Sequence, residues 1–207
     1  MNREALLKPT PALITGIILA GGEGHRMGGK DKGWIRFQQK PLIEHVTKRL
    51  SPQLGQILIS ANRHVEAYEE LGYPVLCDKN ESSPPDERYQ GPIAGILPCM
   101  ENMTTPYAII VPCDAPLIPS NLVATLIKHW DGQPLVLFRD ATRLQPLFGL
   151  YHCSLLADLR RYFVSGGRKL VSWCEEQSPQ ILDWAENPSG FTNINTLQEL
   201  TALESKA

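Results

Sequence analysis

Between Leu19 and Gly33 the chain reads LAGGEGHRMGGKDKG, and six of these fifteen residues are glycine. Arg26, Lys30 and Lys32 stand among them, with the titratable His25. Glycine loses more backbone freedom on folding than any other residue, so such a run needs a reason. A surface turn accounts for two or three glycines. It does not account for Gly21-Gly22 and Gly28-Gly29 paired around a basic centre. Backbone N–H groups left free in a loop of this kind form an anion nest, and missing side chains let a phosphate come close. The residue types therefore point to phosphate binding, with Lys30 read as solvated. Two carboxylates complete the set: Asp78 ends YPVLCD and Asp114 ends PYAIIVPCD, both apolar runs. A carboxylate at such a place suits Mg²⁺, which takes one or two carboxylates together with phosphate oxygens and water.

Two common phosphate loops are excluded by spelling. The dinucleotide pattern G-x-G-x-x-G, started at Gly22, gives Gly24 and then Met27, whose side chain would block close helix–strand packing. The second apolar run also ends without an acidic residue, in Ser60, Ala61 and Asn62. The ATPase pattern G-x-x-x-x-G-K-[ST] fits Gly24, Gly29 and Lys30 but then meets Asp31, an anion where a hydroxyl must bind magnesium.

The elements that must position these residues alternate. ITGIILA, QILISA, YPVLCD, PYAIIVPCD, PLVLFR, PLFGLY and QILDWA read as strands. PLIEHVTKRL, VEAYEELG, GPIAGILPCMENM, PSNLVATLIKHW, SLLADLRRYFVSGG and NTLQELTALES read as helices. Ser120 or Asn121 is available to cap the fourth helix, and Asn195 to cap the last. GWIRFQQKPL reads as a short extended excursion, and Lys79 to Gln90 as an exposed, mobile loop. The alternation predicts an α/β, Rossmann-like, mainly parallel sheet with helices on both faces. Ligands bind beyond the carboxyl ends of such strands, where the glycine loop, Asp78 and Asp114 converge.

The totals bound the rest. The 207 residues suit a single domain, expected over 14–205 behind a tail at 1–13. A formal net charge of -2 argues against a nucleic-acid partner, so any cationic site is local. The five cysteines make no C-x-x-C and read as buried thiols in a reducing compartment. The opening MNREALLKPTPA lacks a signal-peptide pattern and no apolar run is long enough to span a membrane, so a cytoplasmic location is expected.

LAGGEGHRMGGKDKG resembles the L-A-G-G-x-x-x-R-M-G-x-x-K signature of nucleotidyltransferases, and more closely the R-M-G-G-x-D-K-G of the molybdenum cofactor guanylyltransferase family. NRH (62–64), GPIAG (91–95), PCDAPLIP (112–119) and NINTLQEL (193–200) follow in the family's order. His25 stands where a further basic residue is common, and Ser60 where some members have asparagine, so no guanosine contact is carried to Ser60. The resemblance implies a three-layer sandwich like that of nucleotide-diphospho-sugar transferases. It implies transfer of GMP from GTP to molybdopterin, or Mo-molybdopterin, with release of pyrophosphate. Leu19, Ala20 and Gly21 would contact guanine and ribose through backbone groups. Lys32 would bind the phosphates, Asp78 would lie at the nucleotide, Asp114 would hold Mg²⁺, and Asn193 and Asn195 would lie on the pterin side. Molybdenum-cofactor chaperones or acceptor molybdoenzymes would be further partners.

The chemistry fits without the family. A phosphate monoester, with a second pKa of about 6, is already ionised at neutral pH and needs no general base. The difficulty is mutual repulsion of two anions, ~4 kcal/mol per pair of unit charges at 4 Å in an effective dielectric near 20. Arg26, Lys32, the loop N–H groups and Mg²⁺ at Asp114 would supply neutralisation and alignment. Transfer of CMP, transfer to a sugar or alcohol phosphate, and a non-catalytic nucleotide-binding module are the alternatives. CTP-using members tend to carry A-A-G where Ala20-Gly21-Gly22 stands here, so the glycine favours guanine.

Overall fold

A computed structural model describes residues 6–20, 31–77, 90–140, 143–184 and 188–205. Gly21, Arg26, Asp78 and most of the Lys79 to Gln90 segment lie outside the described residues. In chain order the strands are β1 (Ile14–Leu19), β2 (Arg36–Phe37), β3 (Lys40–Pro41), β4 (Gln56–Ser60), β5 (Val75–Leu76), β6 (Tyr107–Pro112), β7 (Leu135–Asp140), β8 (Arg143–His152) and β9 (Gln180–Asp183). The helices are α1 (Leu42–Leu50), α2 (Val65–Glu69), α3 (Pro92–Asn102), α4 (Leu122–His129), α5 (Leu156–Val164), α6 (Leu170–Glu176) and α7 (Leu197–Glu204).

Seven strands form one sheet in the order β5-β4-β1-β6-β8-β7-β9. β8 runs antiparallel to both β6 and β7, and the other pairings are parallel. Strand alternation sends side chains to two separate cores. Ile14 and Ile18, Ile57 and Ile59, and Tyr107, Ile109 and Val111 face α1 and α4. Ile17, Leu58, Ala108 and Ile110 face α3, α5 and α6. A central strand buried on both faces has no polar side to show, which is why β6 reads as an unbroken apolar run.

α6 is an addition to the sequence reading, which stopped at Gly166-Gly167. Its Leu170, Trp173 and Cys174 recur at the three- and four-residue spacing of a buried helical stripe. Asn121 does precede α4, but its side chain makes no cap hydrogen bond. The last helix corrects the sequence reading: Thr196, not Asn195, is its cap. The Thr196 hydroxyl accepts from Glu199 N–H and the Glu199 carboxylate accepts from Thr196 N–H, a reciprocal capping box. Of the five free cysteines, Cys99, Cys113 and Cys174 are buried, while Cys77 and Cys153 are exposed. The segment before β1 is anchored at Leu7, whose carbonyl accepts from Tyr107 Oη at 2.6 Å.

The GWIRFQQKPL segment is a 3-10 turn followed by the β2–β3 hairpin. A small third core of Ile35, Phe37, Leu42 and Ile194 joins it to the C-terminal chain, with Leu200 and Leu203 of α7 packed alongside. Phe37 pairs with Lys40, so Gln38 and Gln39 alone make the turn, at φ 47 and 66. A two-residue hairpin of this kind wants positive φ at both positions and favours Asn-Gly, whereas an ordinary L-residue there costs roughly 1–2 kcal/mol. Replacing Gln38-Gln39 by Asn-Gly is expected to stabilise the fold by about 1 kcal/mol, read as a rise of a few degrees in Tm. An unchanged or lowered Tm would show that the two glutamines carry no conformational strain.

Candidate nucleotide-transfer site

The carboxyl ends of β1, β4 and β6 lie side by side, because β1 pairs with both neighbours in parallel. Past the strand ends the backbone stays stitched: Ala20 N–H donates to Ser60 O at 2.8 Å, and Cys113 N–H to Leu19 O at 3.0 Å. Leu19 and Ala20 therefore sit at this edge as expected. The Ala20 N–H and the Leu19 carbonyl are both already engaged within the protein.

Asp114 lies two residues beyond β6 and is 5% exposed. Its Oδ2 is 2.9 Å from the Lys32 ammonium. Lys32 Nζ also donates to Asn195 Oδ1 at 2.7 Å. Ile194 N–H donates to the Asp114 carbonyl at 2.8 Å, which holds the Asn193–Asn195 segment against the β6 edge. Lys32, Asp114 and Asn195, separated by up to 163 positions, thus meet at one ammonium. Asn195 is free to do so because Thr196 does the capping.

Two oxygens in this corner are buried without a hydrogen-bond partner among the described residues: Asp114 Oδ1 and Asn193 Oδ1. Buried polar atoms are normally paired, so each orphan asks for a ligand. Both are hard oxygen donors, the kind that suits Mg²⁺. The described residues contain no cluster of three or more His, Cys, Asp or Glu side chains, so any metal here would lean on phosphate oxygens and water to complete its shell.

Asp31 differs most from its sequence reading. Its carboxylate, 5% exposed, is occupied by the protein itself. Oδ1 accepts from Gly33 N–H at 3.1 Å and from Tyr68 Oη at 2.6 Å. Oδ2 is 3.2 Å from His64 Nδ1; a carboxylate only accepts, so that nitrogen carries the proton. Asp31 is thereby the N-cap of the 3-10 turn Lys32–Trp34. Beside it is a cavity of about 440 Å³ lined by Asp31, Trp34, Ile35, Arg63, His64 and Ala67. Sequence reasoning gave Asp31 no role of its own: it was a misfit in the ATPase pattern and an unassigned letter of R-M-G-G-x-D-K-G. The signal that was present is its place in D-K-G, directly before the lysine.

The 95-position glycine of GPIAG has a packing reason. A Cβ on Gly95 would lie 2.4 Å from Ser60 Oγ and 3.4 Å from Leu19 Cδ2. A side chain there would have to displace the Ser60 hydroxyl, so glycine lets α3 approach the ends of β1 and β4 closely.

Residues 16–181 match the MobA-like NTP transferase domain. The chain is 41% identical to the molybdenum cofactor guanylyltransferase of Acidovorax sp. (strain JS42), over 92% of this chain and 95% of that protein. It is 35% identical to the molybdenum cofactor guanylyltransferase of Shewanella halifaxensis, over 91% and 92%. The fold matches molybdopterin-guanine dinucleotide biosynthesis protein A from Archaeoglobus fulgidus at a TM-score of 0.72 and 22% identity, covering 93% of this chain and 97% of that one. It matches a nucleotidyl transferase from Methanothermobacter thermautotroptrophicus at 0.73 and 18%, covering 94% and 97%.

The Asp114 carboxyl titrates above the usual carboxylate range because burial disfavours its charge, an effect that Lys32 partly offsets. The folded state then holds that proton more tightly than the unfolded chain. Stability from this group is present at low pH and falls as pH rises from about 4 through the raised folded value. In metal-free buffer, the Tm of the unmodified protein is expected to fall relative to that of Asp114→Asn across this window. Parallel Tm profiles for the two proteins would contradict it. From its matched domain and its relatives, the chain belongs to the MobA-like nucleotidyltransferase family, among the molybdenum cofactor guanylyltransferases.

Proposed function

We infer that this chain transfers GMP from GTP to molybdopterin, or to Mo-molybdopterin, and releases pyrophosphate. The observation that carries the reading is the Lys32 ammonium shared between Asp114 and Asn195 at the carboxyl edge of the sheet. The names of the relatives, guanylyltransferases of the molybdenum cofactor, support the choice of nucleotide and acceptor.

The acceptor's phosphate oxygen attacks the α-phosphorus of GTP. A new P–O bond forms, the bond from α-phosphorus to the bridging oxygen breaks, and the electron pair leaves on pyrophosphate. No proton need be removed from an ionised phosphate, and accordingly no residue at this edge is assigned as a base. Lys32 neutralises and orients phosphate oxygens from a position already fixed by two partners, so little reorganisation accompanies the reaction. Asp114 would hold Mg²⁺ through its unpartnered Oδ1. When bound, the ion would neutralise phosphate charge as it builds towards the leaving group. Leu19, Ala20 and Gly21 would face the guanosine, Arg26 the phosphates and Asp78 the nucleotide. Asn193 and Asn195 would lie towards the pterin, with Asn195 linking that side to Lys32.

Among the described residues no helix is long and apolar enough to cross a membrane. A cytoplasmic setting is part of this proposal.

Lys32→Ala and Asp114→Asn are each expected to lower the rate of pyrophosphate release from GTP, Mg²⁺ and molybdopterin by ~100-fold or more while keeping the fold, the scale typical of losing one preorganised electrostatic contact. Wild-type turnover by either variant removes the role given to that residue. With Mg²⁺ present, GTP is expected to raise Tm more than CTP, because ligand stabilisation grows with affinity. A larger rise with CTP overturns the guanine assignment.

A further inference from the structure

Lys32 is held at both ends, and only its far end touches Asp114 and Asn195. Its near end begins the 3-10 turn capped by Asp31. We propose that Asp31, Tyr68 and Gly33 form a clamp that fixes where Lys32 enters the site, making Asp31 a positioning residue for phosphoryl transfer. The proposal rests on the reading that Lys32 binds the phosphates of GTP.

Three independent features point to the clamp. Asp31 is a buried carboxylate with both oxygens engaged, and the partners come from two directions: Gly33 in its own turn, and His64 and Tyr68 at α2. It therefore ties the turn to the chain that follows β4, a frame independent of the C-terminal segment that holds the ammonium. Tyr68 is wholly buried, and burial first, then the neighbouring Cys113 and Asp31, pushes its phenol far above the ordinary range. It is a permanent hydrogen-bond donor to Asp31. Gly33 makes the approach possible. A Cβ there would lie 2.3 Å from Tyr68 Oη and 3.1 Å from Cζ, so a side chain would push Tyr68 off Asp31. Gly33 is not in the left-handed region, so close approach, rather than backbone conformation, calls for glycine.

The D-K-G triplet is then one device: a cap, a cation, and a gap for the cap's partner. A lysine side chain is among those with most rotamer freedom to lose. Fixing its root as well as its tip means that the ammonium is already in place when charge develops on the leaving phosphates. The clamp should thus act on turnover more than on nucleotide affinity.

The test is a double-mutant cycle read by pyrophosphate release with GTP, Mg²⁺ and molybdopterin, alongside GTP affinity by calorimetry. Asp31→Ala and Tyr68→Phe are expected to lower kcat roughly tenfold or more, since small misplacements of a positioning group cost up to ~100-fold. KM for GTP should move by no more than about threefold, the signature of an interaction made mainly in the transition state. Asp31→Asn, which keeps an oxygen for Gly33 and Tyr68, should recover most of kcat. In a Lys32→Ala background, Asp31→Ala should lower the residual single-turnover rate no further, because the two act through one group. Gly33→Ala should lower kcat in the natural chain but add little to Tyr68→Phe, where the hydrogen bond that the methyl would break is already gone. Should Asp31→Ala fail to fold, Tyr68→Phe carries the same cycle. Equal proportional losses with and without Lys32 overturn the clamp and leave a merely structural Asp31. Wild-type kcat in Asp31→Ala with Lys32→Ala inactive overturns the clamp alone. Wild-type kcat in Lys32→Ala overturns the phosphate-binding reading of Lys32 and the clamp with it.

Discussion

One ammonium shared between Asp114 and Asn195 sets the demands on the rest of the fold. Holding a carboxylate at 5% exposure beside a lysine is costly unless the geometry is good and the remaining lone pairs are used. Good geometry requires three distant stretches of chain to meet. The parallel pairing of β1 with β6 delivers the Asp114 backbone to the sheet edge. The hydrogen bond from Ile194 brings the C-terminal chain alongside. The third core of Ile35, Phe37, Leu42 and Ile194 secures both the lysine turn and that returning chain with apolar contact, without adding another polar group that would need a partner. The β2–β3 hairpin, which looks like an ornament on the sheet, is the far wall of this small core.

The layers of the fold were legible because they rest on local patterns. The short apolar runs of β1, β4 and β6, the helical spacing in α1 and α4, and strand–helix order all follow from period and length. The whereabouts of Asp114 followed as well, since a carboxylate that ends a buried strand must emerge at the sheet's ligand edge. What escaped depends on relations between distant residues. Asn195 looked like a helix cap because it begins the N-T-L-Q-E run, but Thr196 has its Glu three residues on and takes the cap. The difference of one position decides whether the Asn195 amide serves the helix or the lysine. α6 escaped because paired glycines and basic residues before it look like the end of an element, while the helix itself is only seven residues long.

Asp31 illustrates the same limit from the other side. A sequence comparison asks whether the residue after a lysine-bearing glycine loop can bind magnesium, and an aspartate fails that question. Its actual partners, His64 and Tyr68, stand 33 and 37 positions away, and no local rule connects them. Only the packing of α2 against the turn, with Gly33 leaving room for the phenol, turns an apparent misfit into an internal hydrogen-bond acceptor.

These contacts also explain how a chain of net charge -2 handles two anionic reactants. An uncompensated cluster of cations would attract any phosphate and would strain the protein while empty. Here Lys32 is matched by Asp114 and Asp31 is held by three internal donors, so these charged groups are engaged within the protein without ligand. On the proposed function, charge matching would then favour a triphosphate that arrives with its divalent ion. A lone phosphate would meet Asp114 as a repulsive neighbour, whereas a nucleotide arriving with a cation would offer that carboxylate's Oδ1, unpartnered among the described residues, something to bind. On the proposed function, the aspartate that seems to weaken an anion site is what would make the site prefer the metal-bound form of its substrate.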